Sequence, residues 1–316
     1  MKEFHHTREW RKAVLNVNRL RILREVHVRG SLAATARALG YNPSSVSHQI
    51  SQLETEVGVT LLEPVGRGIR LTDHALVLVG HAEEILRHLE EAEADLAEAT
   101  GRISGTVNLA VFQTAGHAVL PLLLQNLRGR YPELRTVVRH IPVEEALPRL
   151  IAHEFDIVLQ EEYPDRPLPQ VAGAAVQPLA RDPLHLVTPR SWGEADITAL
   201  GDAAWIMEPA DTQAGQWAMA VCRRAGFEPA VIAETSDVMM HVRLVEQGVG
   251  AALIPELALT GVDRQAVHTT PVADDARVIS VAVRRGAGAH PAIRAVCREI
   301  AELLQGGGHP EELRGN

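Results

Sequence analysis

The first seventy residues contain short helical segments, each bounded by its own start and stop signal. Apolar residues recur at helical spacing from Leu20 to Val28, and Gly30 ends this first segment. Ser31 is placed to cap a second, alanine-rich segment, which Gly40 ends. The chain therefore predicts two helices joined by a short turn, with a third helix to follow.

The third helix has the clearest start signal in the chain. Asn42 accepts hydrogen bonds from unpaired backbone N–H groups, and Pro43 costs nothing at the first helical position. The helix is predicted to end at Val57, before Gly58. Its buried face, at steps of four, three and four residues, holds Val46, Ile50, Leu53 and Val57.

The opposite face of this third helix is polar, and it carries Ser44, Ser45, Ser47, His48, Gln49 and Gln52. A helix, a short turn and a polar-faced helix form a helix-turn-helix, whose second helix lies in the DNA major groove. These side chains can donate to or accept from base edges. The alternative is a set of helices packed for stability alone, with a polar outer surface.

Residues 59–72 favour the DNA-binding interpretation. Leu61 and Leu62 can pair with Ile69 and Leu71 across a glycine-rich tip that carries Arg67, which predicts a β-hairpin wing. An arginine at this tip can reach phosphate or a minor groove. Residues 18–72 hold seven arginines against four glutamates, although the net charge of the whole chain is −9.

The run from Arg19 to Thr72 resembles the N-terminal domain of LysR-type transcriptional regulators, and it contains SLAATARALGYNPSSVSHQISQLETEVGVTLLEPVGRGIRLT. The resemblance implies that the polar face of the third helix contacts bases or phosphates and that Arg67 lies in the wing. Pro43 stands where many members have glutamine, and His48 where many have arginine or glutamine, so no base preference is implied. Residues 1–17 extend beyond the usual start of the family.

Residues 73–100 form the second predicted region, an acidic linker helix without proline and without glycine after Gly80. Small and large apolar residues alternate at heptad spacing along it. They are Leu78, Ala82, Ile85, Leu89, Ala92, Leu96 and Ala99. The resemblance implies that this seam pairs two subunits. The alternative is a helix that packs on its own domain.

Histidines also recur along this linker helix at intervals of seven residues, at His74, His81 and His88. They are either a pH- or metal-sensitive part of the dimer contact or ordinary polar residues on the flank. Residues seven apart are about 10.5 Å apart along a helix, which is too far for one metal ion within a chain.

Residues 101–305 alternate between predicted strands and helices, which is typical of open, mostly parallel α/β sheets. A proline-rich connection at 160–178 suggests two such units with a hinge between them. This pattern resembles the two-lobed effector domain of the LysR type, itself similar to periplasmic solute-binding proteins. The expected lobes are about 104–165 with 276–305, and about 175–270; residues 306–316 are expected to be a loose tail.

Polar residues that follow predicted strands are the candidate effector ligands, because such sheets bind ligands at the carboxyl ends of strands. They are Phe112, Gln113, Thr114, Glu161, Asp211, Thr212, Gln213, Thr235 and Ser236. Helix capping is the alternative role for most of them. Acids are present without an arginine nearby in sequence, which argues against a simple dicarboxylate ligand unless the fold brings Arg181 or Arg243 to the site.

The sequence thus predicts an α+β regulator: a winged helix-turn-helix, a linker helix and a two-lobed α/β effector domain. Its expected partners are duplex operator DNA with an interrupted inverted repeat, a small metabolite, RNA polymerase, and further copies in a homodimer or homotetramer. Nucleotide-binding, esterase and zinc-protease motifs were not found, and we predict no cofactor, metal site or catalytic residue. The two cysteines indicate free thiols in the cytoplasm. The alternative functions are a solute-binding protein or an α/β enzyme.

Overall fold

The computed structural model describes residues 15–66 and 68–306. These residues divide into two compact units. The first contains the chain up to Thr100, with the short segments 152–154 and 285–290, and the second contains the rest. The expectations for the N-terminal extension before Leu15, for Arg67 and for the tail after residue 306 lie outside the described residues.

Three helices open the first unit: α1 (Val17–Arg29), α2 (Leu32–Leu39) and α3 (Pro43–Val57). The predicted start of α3 is confirmed, because Oδ1 of Asn42 accepts a hydrogen bond of 2.7 Å from the backbone N–H of Ser45. The predicted stop is confirmed as well. Gly58 adopts the left-handed conformation, with φ of 73°, and its N–H bonds to the carbonyl of Glu54.

The predicted hairpin is formed by β1 (Leu62–Val65) and β2 (Gly68–Leu71), which are antiparallel. Leu62 lies opposite Leu71. Leu61 precedes the hairpin and is fully buried in the helical core. The wing is therefore held at its base by two leucines that are adjacent in sequence.

The linker helix is α4 (Asp73–Thr100), and the hydroxyl of Thr72 caps it by accepting from the N–H of Ala75 at 3.2 Å. Its first half differs from the prediction of a dimer seam. Ala82 is fully buried in the core of its own unit, and Leu78 and Ile85 pack against that core. The physical reason is that helices α1 to α3 leave an apolar surface, which this part of α4 covers.

The second half of α4 leaves large apolar side chains in solvent. Leu89 is 41% exposed and Leu96 is 69% exposed, and Ala92 and Ala99 are exposed between and after them. The heptad seam therefore changes its role along the helix. It packs on the core of the subunit as far as Ile85 and is exposed from Leu89 onward.

The second unit alternates strands and helices. The strands are β3 (Gly105–Val111), β4 (Leu134–His140), β5 (Ile157–Glu162), β6 (Ala174–Pro189), β7 (Ala204–Met207), β8 (Ala230–Glu234), β9 (Ala252–Pro255) and β10 (Val267–Arg284). The helices are α5 (Gln113–Ala118), α6 (Leu120–Arg130), α7 (Val143–Ile151), α8 (Gln213–Arg224), α9 (Val238–Glu246) and α10 (Pro291–Gly306).

Six of these strands form one sheet in the order β4-β3-β5-β10-β6-β9, and β7 pairs with β8 separately. Strand β3 is parallel to β4 and β5, whereas β10 is antiparallel to both β5 and β6. The expectation of mostly parallel sheets is therefore only partly correct. Two long antiparallel strands, β6 and β10, run through the middle of the domain and connect its two halves.

The proline-rich connection is shorter than the predicted 160–178, because residues 160–162 end β5 and residues 174–178 begin β6. Residues 267–271 and 277–283 belong to a single strand, β10. The register with β6 is irregular between Pro271 and Ala276, where proline has no N–H to donate.

Candidate functional site

The exposed face of α3 is the first part of the candidate site. Ser44, Ser47 and His48, all predicted to contact DNA, are exposed. Ser51 lies on the same face, since it follows Ser47 by four residues and His48 by three, and it is exposed as well. Sequence reasoning omitted Ser51, although its helical spacing was the signal that could have found it.

Gln49 and Gln52 lie toward the flank of α3 and are half-buried. Nε of Arg19 in α1 donates to Oε1 of Gln49 at 3.1 Å, and Nη2 donates to Oε1 of Gln52 at 2.8 Å. Nη1 of Arg19 also pairs with Glu56. One arginine of α1 therefore holds three polar side chains along one side of α3. Ser45, the remaining predicted contact on α3, is half-buried.

The hairpin wing also carries a positively charged side chain. Arg70 of β2 is exposed and pairs with Glu63 of β1 at 2.9 Å. Exposed ion pairs of this kind contribute little to stability, so this pairing leaves Arg70 available for phosphate.

The second part of the candidate site lies in the effector domain, at the turn after β3. Thr114 is 4% exposed, and its hydroxyl accepts a hydrogen bond of 2.6 Å from Nη2 of Arg277 in β10. Arg277 is 1% exposed. The sequence suggested Arg181 or Arg243 for this place. Arg181 is exposed, and Arg243 donates instead to Glu246 at 2.8 Å.

Arg277 is the centre of a buried polar cluster. Its Nε donates to Asp182 of β6 at 2.7 Å, and Nη2 lies 2.6 Å from the same carboxylate oxygen. Its Nη1 pairs with Glu161 and donates to the hydroxyl of Tyr163 at 3.4 Å. With the bond to Thr114, each of the five N–H groups of this guanidinium has an acceptor in the domain.

Phe112 completes this cluster, since the guanidinium carbon of Arg277 lies 5.1 Å from the centre of its ring. Sequence reasoning named Phe112, Thr114 and Glu161 but missed Arg277. The available signal was the arginine at the start of the apolar run RVISVAV. An arginine is seldom buried unless it is paired, so an arginine in a buried strand indicates acidic partners nearby.

Glu208, after β7, extends the acidic character of this cluster. Burial and the negative charge of Glu161 raise its pKa to about 7.

Thr212 caps α8 by accepting from the N–H of Gly215 at 3.0 Å, which is the capping role left open in the sequence. Oε1 of Gln213, the next residue, is a buried acceptor without a protein donor.

Gln113 connects the turn after β3 with the start of α9. Its Nε2 donates to Oδ1 of Asp237 at 2.6 Å, and its Oε1 accepts from the N–H of Val238 at 3.1 Å. Burial opposes ionisation of Asp237, but the hydrogen bonds from Gln113 and from the first turn of α9 lower its pKa. Gln113 thus hydrogen-bonds to two residues at the N-terminus of α9.

The remaining predicted effector residues are less closely engaged. Thr235 accepts from the N–H of Asp237 at 3.1 Å, whereas Asp211 and Ser236 are exposed. Their arrangement is that of turn residues rather than of a buried binding surface.

Among the described residues, no group of three or more His, Cys, Asp or Glu side chains is arranged to hold a metal ion. Of the heptad histidines, His74 and His81 are exposed, and His88 contacts Glu91 at 3.0 Å. In the part of the chain that the structure describes, no helix is long and apolar enough to cross a membrane.

Two protein-family models match separate parts of the chain. Residues 17–76 match the model of the bacterial regulatory helix-turn-helix protein, lysR family, and residues 100–305 match the LysR substrate binding domain. The HTH-type transcriptional regulator ClcR of Pseudomonas putida is 27% identical over 249 residues, which cover 77% of this chain and 83% of that protein.

Solved structures show the same fold. A full-length OxyR variant from Pseudomonas aeruginosa is similar with a TM-score of 0.63 at 19% identity, covering 92% of this chain and 95% of that one. Full-length CbnR complexed with its target DNA is similar with a TM-score of 0.51 at 22% identity, covering 92% and 100%. The chain belongs to the LysR family of DNA-binding transcriptional regulators, which carry an effector-binding domain and form oligomers.

Proposed function

We propose that this regulator reads its operator with the exposed face of α3, where Ser44, Ser47 and His48 contact base edges or phosphates. The observation that carries the assignment is that these side chains are exposed on a helix whose start is fixed by the cap of Asn42. Ser45, Gln49 and Gln52 act from the flank of α3, and Arg67 and Arg70 contact phosphate from the wing.

The experiment compares affinity for an operator, obtained by selection from random duplexes, with affinity for unrelated DNA. His48→Ala is expected to lower the ratio of the two affinities, since a base contact contributes about 1–3 kcal/mol of discrimination. Arg70→Ala is expected to weaken binding to both DNAs and to flatten its salt dependence. His27→Ala removes an exposed histidine of α1 and serves as the matched control. Equal losses on both DNAs for His48→Ala would remove this residue from base reading.

The effector is proposed to bind beside the Arg277 cluster, between the two halves of the effector domain, in contact with Thr114, Glu161 and Gln213. Arg277 has no N–H left for a ligand, and its charge is already opposed by Glu161 and Asp182. A dicarboxylate would add negative charge where Glu208 is already difficult to ionise. The chemistry of the site therefore favours an uncharged or cationic metabolite.

The regulatory step follows from differential affinity. An effector changes the arrangement of the protein only if it binds one arrangement more tightly than the other. We propose that such a shift alters the spacing of the paired recognition helices on an interrupted inverted repeat, and with it the contact with RNA polymerase. DNA footprints with and without metabolites that raise the melting temperature test this step. Indifference of the footprint to every stabilising metabolite would leave a regulator without effector control.

The exposed half of α4 is proposed to form the dimer contact, and the effector domains are proposed to assemble dimers into tetramers.

A regulator that binds chromosomal operators acts in the cytoplasm. The function proposed is regulatory rather than catalytic, and turnover of a bound metabolite by the purified protein would contradict it.

A further inference from the structure

The contact between Arg19 and the recognition helix fixes the orientation of two side-chain amides. A guanidinium group only donates hydrogen bonds, so the amide atoms that face Arg19 must be the oxygens of Gln49 and Gln52. The Nε2 groups of both glutamines therefore point away from Arg19. Each amide is left with two outward donors, while its oxygen faces Arg19.

Arg19 is itself firmly held. It pairs with Glu56 one turn further along α3, and its side chain is only 19% exposed. Its backbone lies in the first turn of α1, where Oδ1 of Asn16 accepts from its N–H at 3.2 Å. Charge-assisted hydrogen bonds of this kind are stronger than those between neutral groups. The orientation of the two amides is thus set before DNA binds.

This orientation changes what a glutamine can recognise. A free glutamine reads adenine with both amide atoms, since its oxygen accepts from N6 and its nitrogen donates to N7. An amide whose oxygen faces Arg19 is turned so that its Nε2 donors, rather than its oxygen, face outward. Guanine presents two acceptors, N7 and O6, in the major groove. An outward Nε2 group on this flank therefore matches guanine better than adenine.

We infer that Arg19 is a positioning residue for sequence recognition, and that it makes Gln49 and Gln52 select G·C over A·T base pairs in the operator. The inference rests on the proposed entry of α3 into the major groove. It goes further, because it assigns a base preference to two residues and the cause of that preference to a third residue on another helix.

The test is selection from a library of random duplexes with the full-length protein, followed by sequencing of the bound DNA. Gln49→Ala and Gln52→Ala identify the base pairs that depend on each glutamine, since those positions lose their preference. We expect G·C at these positions in the wild-type selection, with at least about fivefold discrimination. Arg19→Met frees both amide oxygens and is expected to move the preference at the same positions toward A·T.

A second variant tests the inference without removing Arg19. In Gln52→Glu, one carboxylate oxygen keeps the bond to Arg19 and the other becomes an outward acceptor. Because cytosine N4 is a donor, the preferred base on the contacted strand is expected to change from guanine to cytosine. Arg37→Met removes an exposed arginine of α2 and is expected to leave every base preference unchanged.

Three results would overturn the inference. They are A·T at the glutamine-dependent positions in the wild type, no position that depends on either glutamine, and an Arg19→Met variant that loses affinity evenly with the same motif. Each of them is compatible with specific DNA binding through His48 and the serines. A wild-type selection that enriches no motif at all would instead contradict the proposed function itself.

Discussion

The hydroxyl of Thr114 and the guanidinium of Arg277 are joined by a hydrogen bond of 2.6 Å between residues 163 positions apart in the chain. The bond links the turn that follows β3 to the middle of β10. Since both residues are nearly inaccessible to solvent, the hydroxyl predicted to face an effector already has a protein partner. An effector in contact with Thr114 is therefore expected to act on Arg277 as well.

Thr114→Val is expected to lower the free energy of unfolding of the effector domain by about 1–3 kcal/mol. The substitution keeps the shape of the side chain and leaves a buried N–H of Arg277 without an acceptor. Denaturant unfolding of the full-length protein measures the loss. Thr114→Ser keeps the hydroxyl and is the matched control. A loss in Thr114→Ser without a loss in Thr114→Val would mean that packing of the methyl group, rather than the hydrogen bond, is responsible.

Arg277→Leu is expected to be more damaging, with a loss of about 3–5 kcal/mol, because it leaves Asp182 and Glu161 close together without their cation. The measurement is the urea midpoint at pH 7. Arg223→Leu removes an exposed arginine that pairs with the equally exposed Glu228, and it is expected to cost less than about 1 kcal/mol. Similar effects of the two substitutions would show that the Arg277 cluster carries no special electrostatic weight.

Glu208 is expected to make the stability of the effector domain depend on pH. Its pKa is about 7 in the folded protein, against an ordinary value of 4.5. Between these two values the folded chain binds more protons than the unfolded chain, so stability falls as the pH rises and levels off above about 7. Glu208→Gln removes this dependence, and the difference from wild type at pH 8 is expected to be about 3 kcal/mol at most.

Melting temperatures of wild type and Glu208→Gln, measured from pH 5 to pH 8, check this expectation. The gain of the variant over wild type is expected to increase with pH. A gain that stays constant across the range would show that Glu208 titrates normally. A cationic ligand is expected to reduce the gain, since it stabilises the carboxylate form of Glu208.

The helices of the DNA-binding unit were predictable because their signals are local. Asn42 and Pro43 start α3, and Gly30 and Gly58 end helices in the left-handed conformation, each within a few residues of the bonds they make. The contact of Arg19 with Gln52 was not predictable. It depends on how α1 crosses α3, and the helical pattern alone leaves the glutamine simply on the polar side.

The effector site was predictable only as a set of strand ends. Thr114 and Glu161 were named from their positions, but Arg277 is 116 residues from Glu161 in sequence and meets it only because β10 pairs with β5. The place of β10 between β5 and β6 depends on the order of strands in the sheet. Hydrophobic alternation indicates that a strand exists and leaves its neighbours undetermined.

The last prediction concerns the two roles of α4. Leu96→Asp is expected to weaken dimerisation while the helical content is retained. Leu96 is 69% exposed in the subunit, so a carboxylate there stays in solvent in the monomer and is desolvated only when another chain covers it. Ala82→Asp places a carboxylate in the core of the DNA-binding unit, so it is expected to unfold that unit. Sedimentation velocity and circular dichroism of both variants separate the two effects. A fully dimeric Leu96→Asp variant with normal operator affinity would show that subunits pair elsewhere.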